Sequence, residues 1–238
     1  MSGENSWCRV GVRDGRIPAA GVERPSLHLS DAGRAAMAGY GGRPAQSGSG
    51  YARRMEVAGL VLAAGGGRRY GMPKALVRHA GRLLVERAAD TLAAAGCCDT
   101  VVVLGAAADR VRAAAPGLAH TVNNPDWPSG MASSLRAGLA ALADTPAGAA
   151  VILLVDMPGV TPAAVRRVAA LAGPSALVIG GYGDRRGHPV LLGREHWAGA
   201  AAAATGDQGA REYLRAHQDQ LRVVPVGDVA DDADIDYA

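Results

Sequence analysis

Phenylalanine is absent from this chain of 238 residues, and aromatic residues make up only 4% of it. Val, Leu, Ile and many Ala must therefore build the interior. Such a core holds less apolar area per residue than one rich in Phe, but the length allows a sizeable one. It suits a single globular domain, or one domain plus a tail. Cysteine is also scarce: Cys8, Cys97 and Cys98 fit neither a disulfide framework nor a zinc spacing, which points to a reducing, cytoplasmic setting. No apolar run approaches a membrane span, and the N-terminus lacks the apolar core of a signal peptide.

Lysine is nearly missing. Of 25 basic residues, Lys74 alone is not an arginine. The net charge of +3 is itself unevenly spread, since residues 1–54 hold eight Arg against four acids. Residues 55–238 are therefore close to neutral, and the charge makes no case for a nucleic-acid surface. Residues 1–54 also hold ten Gly with scattered Ser and Pro and no sustained apolar period. That segment reads as a disordered extension, and a translation start at Met55 would account for the abrupt change of texture there.

From Met55 onward, short apolar runs alternate with Ala/Leu helical patterns. Strands are predicted at 57–63, 100–105, 118–124, 149–159, 175–181, 188–193 and 221–226. Helices are predicted at 83–96, near 107–115, at 130–144, after Thr161, and at 209–217. Gly96 would stop the first helix, while Thr161 would cap its own helix with Pro162 in the first turn. Continuous apolar strands between amphipathic helices imply an α/β fold, a mainly parallel sheet with helices on both faces. Ligands of such sheets sit beyond the carboxyl ends of the strands. Two polar signals fall at that edge, the glycine loop after the first strand and Asp156 after the most apolar one.

The loop reads LAAGGGRRYGMPK from Leu62 to Lys74. Gly65, Gly66, Gly67 and Gly71 let backbone N–H groups converge on an anion without a Cβ in the way. It is not a Walker A loop, because Met72 and Pro73 separate Gly71 from the lysine. Nor is it the dinucleotide fingerprint, since Tyr70 stands where the third glycine belongs. A flexible turn with exposed arginines is the plainer alternative, but a lone compact ammonium suits a crowded phosphate. Asp156, at its strand end, reads either as a solvated carboxylate or as a ligand for Mg²⁺, which takes one or two carboxylates beside phosphate oxygens and water.

The loop resembles the signature LAAGxGxRMGxPK of the MobA-like nucleotidyltransferases, with Tyr70 in place of Met or Phe. Further stretches carry the resemblance in order: NPDWPSGMASSLRAGL (124–139), DMPGVTP (156–162), RRGHPVLLG (185–193) and GDQGAR (206–211). Within the group, the chain is most similar to the molybdenum cofactor cytidylyltransferases. The resemblance covers about Val57 to Asp236.

This resemblance implies a three-layer Rossmann-like nucleotidyltransferase fold of the GT-A type over residues 55–238. The activity it implies is transfer of a nucleoside monophosphate, CMP from CTP, to a phosphorylated acceptor such as molybdenum-bearing molybdopterin. A molybdenum hydroxylase or its maturation factor would be a partner. Arg69 and Lys74 would hold the triphosphate, and Asp156 would ligate Mg²⁺. Leu62, Ala63, Ala64, Gly65 and Gly67 would line the nucleotide, with Asn124, Gly130, Met131 and Ser134 near the base; Ser129 could instead simply cap the helix there. His188, Asp207 and Arg211 would face the acceptor, although Asp207 also reads as a helix cap. The family pattern D-[IV]-D-T-P survives as Asp234-Ile235-Asp236 without Thr-Pro, which makes Asp236 the second metal ligand and Asp234 its reserve; a solvated acidic end is the alternative. Two other readings stay open: an NAD(P)H-dependent oxidoreductase of the nicotine blue oxidoreductase type, and a catalytically silent nucleotide-binding module.

Overall fold

All seven residues of strand β1 (Val57–Ala63) are buried, because the strand lies between two helical layers and neither face meets water. Its side chains alternate between two cores. Val57, Val61 and Ala63 pack to one side, and Ala58, Leu60 and Leu62 to the other. The structure, a computed structural model, describes residues 55–67 and 70–235. The expectations for residues 1–54, Arg69 and Asp236 fall outside the described residues.

After β1 come a small hairpin of β2 (Arg78–His79) and β3 (Arg82–Leu83), then α1 (Leu84–Ala95), β4 (Cys98–Leu104), α2 (Ala108–Ala114) and β5 (His120–Asn123). The chain continues with α3 (Met131–Leu142), β6 (Ala149–Leu154), α4 (Pro162–Ala169), β7 (Leu177–Tyr182) and β8 (Arg185–Gly193). It closes with α5 (Trp197–Ala203), α6 (Arg211–Ala216) and β9 (Leu221–Pro225). Seven strands form one sheet in the order β5-β4-β1-β6-β8-β7-β9. All pairings are parallel except those of β8, which runs against both β6 and β7. Helices α1, α2 and α4 cover one face, and α3, α5 and α6 the other. This is the mainly parallel, three-layer α/β architecture that the sequence implies.

Several local expectations hold. Gly96 ends α1 in the left-handed conformation, with φ 92°, and its N–H bonds back to Ala93 O. Thr161 caps α4, its hydroxyl accepting from Ala164 N at 3.3 Å, with Pro162 in the first turn.

Others are corrected. The strand expected over 149–159 ends at Leu154, so Asp156 lies just beyond it in a turn. Helix α6 starts at Arg211 rather than 209, because Gly209 adopts φ +54° and a single 3₁₀ turn precedes it. Trp197–Ala203 forms a helix that apolar spacing does not mark, being almost uniformly alanine.

The direction of β8 matters most for function. Only Gly183 and Asp184 separate it from β7, a connection too short for a parallel crossover. An antiparallel β8 therefore brings its own N-terminal residues to the carboxyl edge of β1 and β6, with Ile152 paired to Val190. Arg186 and His188 arrive at the same edge as Asp156.

Candidate active site

Where β1 ends, the chain enters the glycine loop and must turn sharply. Gly67 has φ +62°, and a Cβ there would stand 1.8 Å from the Met72 carbonyl oxygen, so no other residue fits. Its carbonyl accepts from Gly71 N at 2.9 Å, closing the turn. The chain then doubles back through a short 3₁₀ turn that begins at Lys74. That path points Lys74 at the end of β6, where its Nζ donates to Asp156 Oδ2 at 2.7 Å. The two side chains are only 14% and 20% exposed.

Above this pair lies a cavity of about 370 Å³. It is lined by Ala64–Gly67, by Trp127–Met131 with Ser134, and by Leu62 and Asp156. Of the residues expected to line a nucleotide, the structure brings Leu62, Ala64, Gly65, Gly67, Lys74, Gly130, Met131 and Ser134 together here. Ala63 does not line it; it is buried in β1 against the other core. Asn124 does not line it either. It is buried, and its side-chain amide donates to Ser133 Oγ at 2.8 Å and Ser134 Oγ at 3.1 Å while its Oδ1 accepts from Asp126 N. Asn124 thus fixes the start of α3 from beneath.

The N-terminus of α3 is capped from a distance rather than by Ser129, whose hydroxyl donates to Asp126 O. Gly130 holds the cap position with φ +112°, and Asp207 Oδ1 accepts from Met131 N at 3.3 Å. Asp207 therefore caps α3 and not α6. The approach is close, since a Cβ on Gly130 would sit 2.5 Å from the Gly206 carbonyl.

Sequence reasoning missed Trp127. Its indole fills a notch left by two glycines. A Cβ on Gly66 would lie 3.0 Å from its six-membered ring, and one on Gly105 would lie 2.6 Å from its Cβ. Nothing in the linear pattern pairs these residues; the adjacent glycines at the ends of β1 and β4 were the available signal.

A second cavity, about 330 Å³, opens beside the first and shares Leu62, Met131, Leu154 and Asp207 with it. His188 and Arg211 line this one. The half-buried His188 donates from Nδ1 to Ile152 O at 3.0 Å, because a carbonyl can only accept. Burial holds its pKa below the ordinary value; the Ile152 carbonyl and the Asp156 carboxylate pull upward, and Arg211 pushes down. A neutral ring with Nδ1 committed leaves Nε2 as a lone-pair acceptor. Tyr182 donates its hydroxyl to His188 O at 2.6 Å, and burial with Asp232 and Asp231 pushes its pKa up to about 12.

The C-terminal segment crosses the same edge. Ile235 N donates to Asp156 O at 3.0 Å and Asp231 N to Gly159 O at 3.1 Å. Asp234 is carried to the neighbourhood of Asp156 by this backbone contact. Among the described residues, no group of three or more His, Cys, Asp or Glu is arranged to hold a metal ion, and no helix is long and apolar enough to cross a membrane.

Comparison with known proteins places the chain in a family. The chain is 38% identical over 189 residues to nicotine blue oxidoreductase of Paenarthrobacter nicotinovorans, covering 76% of this chain and 92% of that one. It is 31% identical to a Mycobacterium tuberculosis protein solved in complex with manganese, with a TM-score of 0.63 over 76% of this chain and 94% of that one. A nucleotidyl transferase of Methanothermobacter shares the fold at a TM-score of 0.66, with 22% identity over 76% of this chain and 92% of its own. Residues 59–221 match the model of the MobA-like NTP transferase domain, and the chain belongs to that family.

Proposed function

We propose that the protein transfers a cytidylyl group from CTP to the phosphate of a small acceptor and releases pyrophosphate. Membership of an NTP transferase family supports nucleotidyl transfer as the reaction class; the base and the acceptor are the added steps. One observation carries the reading. Lys74 and Asp156 meet in the lining of a cavity that the glycine loop also lines, and a second cavity opens beside them.

In the proposed reaction, an oxygen of the acceptor phosphate attacks the α-phosphorus of CTP in line. The bond to the bridging oxygen breaks, and pyrophosphate leaves with the electron pair. Such chemistry needs positioning and charge neutralisation rather than a covalent nucleophile. Lys74, with Arg69, holds the triphosphate, and the amides of Gly65–Gly67 face its oxygens. Gly130, Met131 and Ser134 contact the base. His188, Asp207 and Arg211 belong to the acceptor side.

The residues also fit a divalent cation. Asp156 is a carboxylate that already draws a positive group to 2.7 Å, and Ile235 N on Asp156 O brings the C-terminal acids to the same edge. Asp156 would hold Mg²⁺, with Asp236 or Asp234 as the second acid; manganese in the similar mycobacterial protein supports such a site. When bound, the ion neutralises charge on the phosphates.

By resemblance, molybdenum-bearing molybdopterin is the first acceptor to test. Incubation with each nucleoside triphosphate and this acceptor should release pyrophosphate fastest with CTP. A second reading rests on the 38% identity to nicotine blue oxidoreductase, in which the loop would hold a dinucleotide pyrophosphate. The Lys74–Asp156 pair favours transfer, because hydride transfer needs no metal ligand. NADPH oxidation without pyrophosphate release from any triphosphate would replace the first reading with the second.

A further inference from the structure

The second cavity has a composition that selects among acceptors. Much of its wall is aliphatic, with Leu62, Ile152, Ile179 and Val190 from the sheet and Leu135 and Leu214 from the helices, while Gln208, Gln218 and His188 add neutral polar groups. Among the described residues, no Tyr or Trp lines it. Arg186 and Arg211 also line it, and both are exposed. Among the described residues, neither guanidinium makes an ion pair or a side-chain hydrogen bond, whereas the neighbouring Arg215 is tied to Glu212 at 2.7 Å. The one acid in the lining, Asp207, is occupied by the Met131 N–H. The cavity therefore joins an apolar interior to two uncommitted positive groups.

We propose that this cavity receives an organic anion with an apolar body, with Arg186 and Arg211 holding its phosphate or carboxylate group. A sugar phosphate would find Gln208, Gln218 and His188 Nε2 for some of its hydroxyls and set the rest against six aliphatic side chains, losing their hydrogen bonds to water. A bare phosphate would leave those walls wetted. An apolar body gains from burial there, and planar guanidinium groups match the oxygens of a phosphate or carboxylate. The volume of about 330 Å³ is at the lower end of small-ligand sites, in keeping with such a body. Arg211 and Asp156 both lie within electrostatic reach of His188, so an anion on Arg211 sits beside the lining shared with the first cavity. That this ligand is the acceptor rests on the transfer reading; that the cavity binds it does not.

Isothermal titration of the full chain with naphthyl phosphate, naphthol and glucose phosphate tests the proposal. Naphthyl phosphate should bind at one site about tenfold tighter than either of the others, since only it offers both halves of the match. The double variant Arg186→Ala, Arg211→Ala should weaken it about tenfold or more, and Lys74→Ala should leave it unchanged. Equal or tighter binding of glucose phosphate or naphthol would overturn the ligand class. Loss of binding in Lys74→Ala with retention in the arginine variant would place the ligand in the nucleotide cavity and overturn the site. Absence of pyrophosphate release from CTP, with naphthyl phosphate still bound as stated, would remove the transfer reading alone.

Discussion

Lys74 Nζ occupies Asp156 Oδ2 at 2.7 Å, with both side chains largely buried. Under the proposed function a divalent cation would approach the same carboxylate, where the ammonium repels it. A triphosphate offers Lys74 an alternative anion, which links nucleotide binding to release of the carboxylate.

Lys74→Met should therefore bind Mn²⁺ severalfold tighter than the wild type when no nucleotide is present, because the competing positive charge is gone. Its affinity for CTP should fall. Mn²⁺ titration followed by electron paramagnetic resonance reads the first effect without reference to turnover. An unchanged Mn²⁺ affinity would mean that Lys74 does not compete for Asp156.

Asp156→Asn is close to isosteric at a turn beyond β6, so the unfolding midpoint should stay near that of the wild type. Transfer should drop by about a hundredfold or more, equivalent to roughly 3 kcal/mol of lost transition-state stabilisation. Full pyrophosphate release at limiting Mg²⁺ in this variant would end the metal assignment. Lys74→Arg should also be strongly impaired, since a planar guanidinium cannot reproduce a point charge in a tight loop.

Trp127 gives a sharper test, because one of the residues it depends on touches no part of the cavity. Gly105→Ala would drive a methyl to within 2.6 Å of Trp127 Cβ and push the indole away from Gly66. Overpacking of this kind costs about 1–3 kcal/mol, and the glycine loop should lose its support. CTP affinity should fall about tenfold in Gly105→Ala and in Trp127→Ala alike. In the double variant the losses should add only in part, since the clash with the indole Cγ is gone while the methyl still meets the retained Cβ of that position and Ala64 Cβ at 2.8 Å. Additive losses would show that Gly105 acts independently of Trp127.

Much of the scaffold was legible because burial on both faces writes itself as an uninterrupted apolar run. Val57–Ala63 and Ala149–Leu154 are read that way, and Gly96 and Thr161 mark helix ends by chemistry that operates over three residues. The glycine loop and Lys74 were legible for the same reason: their geometry is local. The direction of β8 was not, since hydrophobicity carries no sign and only the two-residue Gly183–Asp184 turn betrays it. Neither was α5, whose alanines offer no polar face for contrast. Asp207 on Met131 N, and Trp127 over Gly66 and Gly105, join residues far apart in sequence, and no periodicity encodes such contacts. The second cavity takes its walls from the sheet and two helices at once, which is why His188 and Arg211 could be named but Arg186 could not.

His188 should make stability depend on pH. Burial holds its folded pKa below 6.5, so the unfolded chain takes up a proton first as the pH drops. Above the ordinary histidine range the group contributes no pH dependence. As the pH falls through that range, stability is lost until the folded ring also protonates. Urea unfolding midpoints at pH 7.5 and about pH 5.5 should therefore differ more in the wild type than in His188→Gln. Equal differences in the two proteins would show that the folded ring titrates as freely as the unfolded one.

Base selection should depend partly on Ala64. By resemblance, cytidylyl-transferring relatives read LAAG at the start of the loop, whereas guanylyl-transferring ones read LAGG. Ala64 lines the first cavity, is 3% exposed, and holds the loop to the end of β4 by accepting from Ala106 N at 2.9 Å. Its methyl stands 2.8 Å from where a Cβ on Gly105 would lie, so it packs in the same notch that seats Trp127. Removing it would widen the space available to a purine and loosen the indole. One methyl in a pocket is worth about 1–3 kcal/mol, which is too little to be the whole of the selectivity. Under the proposed function, Gly130, Met131 and Ser134 at the start of α3 would supply the remainder. Ala64→Gly should accordingly lower the ratio of CTP to GTP rates by about tenfold without inverting it. Initial rates at equal nucleotide concentration measure that ratio. A wild type that favours GTP would overturn the cytidylyl reading and leave the nucleotidyl transfer intact.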